Sequence, residues 1–216
     1  MKVLILAANG QIARIIEQRI LAESQFENIE LTLFLRNAHR LANLETNSRV
    51  TLLEGSLDDA QAVDSAVDGQ DLVFVAVVDH TRDNNWTKNV INAMQKHQVK
   101  RVIFTNILGI YNEVPGEFGV WNHQQVSGGL TAAINSDRLL QNSGLDYTTL
   151  RLPWLNDKNE VKYSVTHQDE PYIGVSGSRQ SVADLVLKMM LDSALGSKDS
   201  LGLADPTTQG ANRPIY

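Results

Sequence analysis

Cysteine is absent from the 216 residues. That absence excludes disulfides, thiol catalysis and cysteine-ligated metals, and it fits a reducing compartment. No apolar run approaches the length of a membrane span. The N-terminal apolar stretch is short for a signal peptide and has no cleavage-site pattern. The expectation is a cytoplasmic chain that does not engage membranes. Positive charge is also scarce: 19 Lys and Arg against 25 Asp and Glu leave a formal net charge of −6. Nonspecific nucleic-acid binding needs a basic face, so nucleic acid is not an expected partner. His39, His80, His97 and His167 are scattered, with no metal-ligand spacing. "VSGSR" lacks the G-x-S-x-G of a nucleophile elbow.

What is present is a regular alternation. Short apolar runs, "VLILA", "ELTLFL", "RVTLLE", "DLVFVAVV", "RVIFTNI" and "DYTTLRL", predict six strands. Amphipathic stretches lie between them. The first begins near Gln11, where Ile12, Ile15, Ile16 and Ile20 recur on one helix face. A weaker one follows in "RNAHRLANL", then "DDAQAVDSAV", a segment holding Trp86, Val90, Ile91 and Met94, "LTAAINSDRLLQNSG", and "SVADLVLKMML". Strands dense in Val, Ile and Leu with helices between them imply a parallel sheet covered on both faces. The length fits one domain, 1–216, and 43% hydrophobic residues suffice for a core. The fold class expected is a Rossmann-like, doubly wound α/β sheet in the order 3-2-1-4-5-6, with any seventh strand short and a small C-terminal region on the substrate side. Two weakly patterned stretches, 111–129 and 156–177, follow strands. Ligands of open parallel sheets bind beyond the strands' carboxyl ends, so these are the candidate substrate walls.

The turn Ala7-Ala8-Asn9-Gly10-Gln11-Ile12-Ala13 joins the first strand to the first helix. A dinucleotide fingerprint needs small residues at the first, fourth and seventh of these places, for a tight turn, close approach to pyrophosphate and close helix packing. Gly10 meets the middle need; Ala7 and Ala13 are small. The turn also aims a helix N-terminus outward, a natural anion site. The second strand ends at Arg36, followed by Asn37 and Arg40, where an NAD site places a carboxylate. A guanidinium there suits the 2′-phosphate of NADP. Ser56 and Leu57 follow the third strand, at the height of an adenine pocket. Ala76 and Val77 end the fourth strand and are small enough to pass beneath a cofactor. Asn106 ends the fifth strand, in reach of a nicotinamide ribose or a substrate oxygen. Tyr111 and His123 are candidate proton donors in the following stretch. Pro153 and Trp154 follow the sixth strand, where a nicotinamide wall would stand. The cofactor expected is NADP(H).

The stretches "LILAANGQIAR", "LFLRN", "EGSLDDAQAVDSAVDGQDLVFVAV", "KRVIFTNILGIY" and "SDRLLQNSGLDYTTLRLPWL" resemble the atypical short-chain dehydrogenase/reductase group, specifically its NmrA-like NAD(P)-binding proteins. The resemblance implies a Rossmann-like fold with a cofactor across its carboxyl edge. The chain departs from it in several places. The family's first glycine is Ala7, an aspartate near the adenine is Ser56, and serines ending the fifth strand are Asn106 and Ile107. The Tyr-x-x-x-Lys dyad of catalytic relatives is missing: Tyr111 is followed four places on by Pro115, Tyr147 by Arg151, Tyr163 by His167 and Tyr172 by Ser176. Without that acid, alcohol–carbonyl chemistry is disfavoured. Hydride transfer to a quinone-, flavin- or aromatic-type acceptor asks less of the protein, because the nicotinamide carries the hard chemistry. Two functions follow. One is an NADP(H)-dependent oxidoreductase acting on a small-molecule acceptor. The other is a non-catalytic NADP(H) sensor that reports to a protein partner. The short C-terminal part disfavours a nucleotide-sugar epimerase.

Overall fold

Each of the six apolar runs is a strand. The computed structural model of the protein describes residues 1–216. It places β1 at Lys2–Leu6, β2 at Glu30–Leu35, β3 at Val50–Glu54, β4 at Leu72–Val75, β5 at Arg101–Ile107 and β6 at Asp146–Leu152. These lie side by side as β3-β2-β1-β4-β5-β6, all parallel, with β1 central between β2 and β4. This is the Rossmann-like order expected from the alternation of strand and helix patterns.

Successive side chains leave opposite faces of a strand, so each strand feeds two cores. Val3 and Ile5 of β1 join Leu31, Leu33 and Ile103 on one face. Leu4 and Leu6 join Val73, Val102 and Phe104 on the other. The first face is covered by α1 (Gln11–Ala22), through Ile12, Ile16 and Ile20, and by α5 (Arg179–Leu191), through Val182, Leu185, Val186 and Met189. The second is covered by α2 (Ala60–Val67) and α3 (Asn85–Lys96), through Val63, Val67, Val90 and Met94, and by the C-terminal half of a long α4 (Gly116–Gln141), through Leu140. The segment after β2 is not an α-helix but 3-10 turns over Ala38–Leu44, kinked at Leu41.

Three further features differ from expectation. The stretch 111–129 is not a loop: α4 begins at Gly116, so its first half overhangs the carboxyl edge of the sheet. Its apolar residues pack on aromatic neighbours rather than on the sheet. Phe118 and Trp121 stack with centroids 5.7 Å apart, and Trp121 meets Trp154 at 4.9 Å. The face pattern therefore does not run on from the second half. The stretch 156–177 holds short strands: β8 (Ser164–Thr166) and the start of β9 (Ser176–Ser178), which pairs with β7 (Trp154–Asn156). Finally, β10 (Asp199–Ala204) adds to β6 in parallel and is as long as β2, and β8 closes that edge antiparallel. "DSLGLA" carries only Leu201 and Leu203 as large apolar residues, too faint an alternation to register as a strand.

Candidate functional site

From β1 the chain runs outward to β2 and β3, then returns to β4 on the other side of β1. A reversal of this kind leaves a crevice beyond the strands' carboxyl ends. A cleft of about 600 Å³ occupies it. Ala7, Asn9 and Gly10 form its floor, Arg36, Asn37 and Arg40 line it beyond β2, and Ser56 and Leu57 beyond β3. Ala76 and Val77 line it beyond β4. Ten of the residues singled out in the sequence for a nucleotide thus meet around one space.

The β1–α1 turn is tight. Gly10 N–H donates to Ala7 O at 3.0 Å, which closes the turn. Ala7, at the head of this turn, lies in the left-handed region at φ 62°, a conformation that suits the glycine the family carries there. Gly10 lines the cleft between β1 and β4, and a Cβ there would lie 3.4 Å from Ala7 O and 3.6 Å from Ala76 O, at ordinary contact distance. Gly10 gives α1 no side-chain cap, and the first turn holds no acidic residue. The first backbone bond of the helix is Arg14 N–H to Gly10 O, so the N–H groups of Gln11, Ile12 and Ala13 remain open. Open N–H groups and the positive end of the helix dipole together favour an anion at this point.

Beyond β2, Arg36 and Arg40 are exposed at the cleft and enter no ion pair with the chain's carboxylates. The nearby Glu54 carboxylate accepts the N–H of Ala38 at 3.0 Å. The opposite wall is braced. Trp86 Nε1 donates to Asp58 Oδ1 at 2.7 Å, Ser56 Oγ to Asp58 Oδ2 at 3.1 Å, and Asn89 Nδ2 to Leu57 O at 2.8 Å. The Phe34 ring lies where a Cβ on Gly55 would be, 2.5 Å away, so the close packing of this wall requires glycine. Phe34, Gly55, Asp58 and Trp86 line the cleft too. Sequence reasoning missed their part in it, although Gly55 directly after a strand was the available signal.

The other sequence-derived residues lie elsewhere. Gln11 is exposed and Ile12 is packed in the core, so neither side chain lines the cleft; their backbone N–H groups face outward from the helix start. Pro153 is buried and packs against Gly177. Trp154 turns to α4, donating Nε1–H to Asn122 Oδ1 at 3.0 Å. Asn106 is buried and both its side-chain polar atoms have internal partners: Nδ2 donates to Ala133 O at 3.0 Å, and Oδ1 accepts the N–H of Ile107 at 2.8 Å. It ties β5 to α4 and is turned away from the cleft, which it does not line. His123 is exposed on the overhanging part of α4, above a recess lined by Gly109, Asn112 and Val126, and shares no lining residue with the cleft.

Tyr111 belongs to a buried polar network. Its O–H donates to Asp137 Oδ2 at 2.6 Å, and Thr149 Oγ1 donates to Asp137 Oδ1 at 2.6 Å. Burial pushes both the phenol and the carboxyl upward, which holds the Tyr111 proton in place. Beside it the Arg151 guanidinium, fully buried, pairs with Glu113 at 2.8 Å and donates to the carbonyls of Thr166, His167 and Ser200. Glu113 in turn accepts the N–H groups of Gly109 and Tyr111. These bonds pin the β5–α4 turn to β6, β8 and β10. Tyr111 is a structural member of this network rather than an available acid.

A parallel sheet with a switch-point cleft, a glycine turn opening a helix and unpaired cations beyond β2 defines a Rossmann-type nucleotide-binding protein. Residues 7–193 match the family model described as NAD(P)H-binding, and the chain belongs to that family. No curated protein matches the sequence. Among solved structures it is similar to a short-chain dehydrogenase/reductase from Veillonella parvula in complex with NADP, at 23% identity and TM-score 0.90, covering 100% of this chain and 99% of that one. A Rossmann-fold NAD(P)-binding family protein from Shigella flexneri is 31% identical, with TM-score 0.76 over 100% of this chain and 98% of that one. ChuY, an anaerobilin reductase from Escherichia coli O157:H7, is 20% identical, with TM-score 0.78 over 98% of this chain and 100% of that one. The fold is the Rossmann fold of NAD(P)-binding proteins. No helix is long and apolar enough to cross a membrane.

Proposed function

We propose that the protein is an NADP(H)-dependent oxidoreductase of the atypical, NmrA-like type. It would act on a small quinone-, flavin- or aromatic-type acceptor without a Tyr-Lys dyad. The observation that carries the cofactor choice is the pair of unpaired guanidinium groups, Arg36 and Arg40, at the β2 end of the cleft. On a chain of net charge −6, two cations kept free of carboxylates mark a site for an anion. The residues present fit the cofactor. Arg36, Asn37 and Arg40 would hold the 2′-phosphate, Ser56 and Leu57 the adenosine, and the open N–H groups of α1 with Gly10 the pyrophosphate. Ala76 and Val77 leave a smooth path toward β5. When bound, the nicotinamide supplies a hydride.

The second reading is a non-catalytic sensor that reports NADP(H) to a protein partner. It is favoured by the state of the expected donors: Asn106 and Tyr111 are committed to internal bonds, and His123 stands off the cleft. Steady-state oxidation of NADPH with a panel of quinones separates the two. Turnover with quinones and none with simple alcohols or aldehydes supports the oxidoreductase. Tight NADPH binding without any turnover supports the sensor.

A further inference from the structure

Reduction of a quinone by hydride still needs a proton, and the loop that leaves the cleft after β4 carries a histidine. His80 lies three residues beyond the cleft-lining Val77 and is exposed. Its ring rests on α4 with the Nδ1–Cε1 edge against Gly129, where a Cβ would stand 2.8 Å from Nδ1 and 3.2 Å from Cε1. Gly128 and Gly129 fall in mid-helix, where each glycine costs about 1 kcal/mol relative to alanine. At position 129 the imidazole occupies the space that a side chain would need. The height along α4 is fixed as well. Asn106, at the end of β5, bonds to Ala133 O, so Gly129 lies four residues, about 6 Å, nearer the overhanging N-terminal end of α4. His80 is not itself a lining residue of the cleft: it follows Val77, on the opposite side of β1 from Arg36, and its ring lies against α4 at Gly129.

The loop that carries His80 is held firmly. Asp79, fully buried, accepts the N–H and O–H groups of both Thr81 and Thr87. Thr87 Oγ1 meets Ser136 Oγ at 2.8 Å, and Asn84 Nδ2 donates to Ala132 O at 2.8 Å. Two of these bonds land on α4 within two turns of Gly129, so the ring is positioned from both sides.

We propose that His80 is the proton donor for a conjugated dicarbonyl acceptor, a quinone, bound at the inner end of the cleft. This rests on the oxidoreductase reading above. In the step, one hydride from NADPH, carrying two electrons, reaches the quinone. The protonated imidazole gives its proton to a quinone oxygen. Hydroquinone and NADP⁺ leave, and His80 takes a proton from water. Imidazole suits the task because it is the side chain that exchanges a proton near neutral pH. The charged groups around it leave it free. Asp79 faces Thr81 and Thr87, Arg82 and Asp83 follow in the same loop, and on α4 the flanking titratable positions are His123 and Asp137. The histidine ion pairs of the chain belong to His97 and His167.

The test has two arms on the full chain. In the first, the Cε1–H proton signals of the five histidines are followed by NMR during NADP⁺ titration, with His80→Gln assigning its own. The His80 signal is expected to shift most; an unmoved His80 signal on saturation with NADP⁺ overturns the placement. In the second, kcat/KM for a water-soluble quinone is measured against pH. His80→Ala is expected to lose about a hundred-fold at neutral pH and to lose the decline toward high pH, with NADPH affinity unchanged and the rate partly restored by added imidazole. Gly129→Ala, which displaces the ring, is expected to slow turnover in the same direction. Wild-type turnover that survives His80→Ala with the same pH profile overturns the assignment and leaves the oxidoreductase reading standing. NADPH binding with no wild-type turnover overturns both.

Discussion

Glu17 sits on the inner face of α1, 1% exposed, between Ile16 and Ile20 in the layer shared with α5. Neither carboxyl oxygen has a hydrogen-bond partner, and the nearest cation, Arg14 Nε, is 3.9 Å away. Burial pushes its pKa from the ordinary 4.5 up to about 8, only partly opposed by Arg14. The folded protein therefore keeps this proton through a range in which the unfolded chain has lost it. Below pH 4.5 both states are protonated and the group contributes no penalty. Between pH 4.5 and 8 the unfolded state binds fewer protons, so stability falls as pH rises, by up to about 1.4 kcal/mol per pH unit. At pH 7 the accumulated penalty has a ceiling on the order of 3 kcal/mol. Glu17→Gln keeps the shape and removes the titration. Urea unfolding of both proteins at pH 5, 6, 7 and 8 gives the difference in stability at each pH. The variant is expected to gain on the wild type steadily from pH 5 to pH 8. A difference that stays constant across that range would refute the buried, unpaired carboxyl.

Other expectations follow from the same structure. Ala7→Gly removes the positive-φ strain at the β1–α1 turn; after the entropy lost by a more flexible unfolded chain, the variant should be more stable by up to about 1 kcal/mol in urea. Gly10→Val fits beside Ala7 O and Ala76 O at ordinary contact distance through its Cβ, but its methyls enter the cleft. Its circular dichroism should match the wild type while dinucleotide binding, read by NADPH fluorescence, is lost. Glu113→Gln leaves the Arg151 guanidinium buried without its counter-charge and should cost about 3–5 kcal/mol in thermal or urea unfolding.

The part of this fold that could be read from the sequence is the part built on period and position. β1 through β6 are Val-, Ile- and Leu-rich because both faces are covered, and their order follows from alternation with helices. The glycine turn and Arg36 were legible because they sit at fixed points relative to strand ends. Three kinds of feature were not. The first half of α4 packs through Phe118 and Trp121 against Trp154 and its neighbours, away from the main core faces, so its residues do not continue the core-facing stripe. The edge strand β8 is short, and the apolar pattern of its neighbour β10 is interrupted by Gly202, so both depend on pairing for their form. The role of a side chain at a strand end depends on its rotamer. Asn106 and Tyr111 stand at the expected heights yet turn into α4 and the Asp137 network. His80 carries no local signal, since its partner is a glycine 49 positions away.

The central claim is that the cleft is built for a nucleotide bearing a 2′-phosphate, recognised by Arg36. Charge-assisted hydrogen bonds contribute about 1.5–3 kcal/mol each, roughly ten- to a hundred-fold in affinity. Calorimetric titration of NADP⁺ and NAD⁺ into wild type and Arg36→Ala tests this directly. The account predicts wild-type preference for NADP⁺ by that factor, weakening as salt rises, with most of it erased in Arg36→Ala and NAD⁺ affinity hardly changed. Equal binding of the two cofactors by the wild type would contradict it.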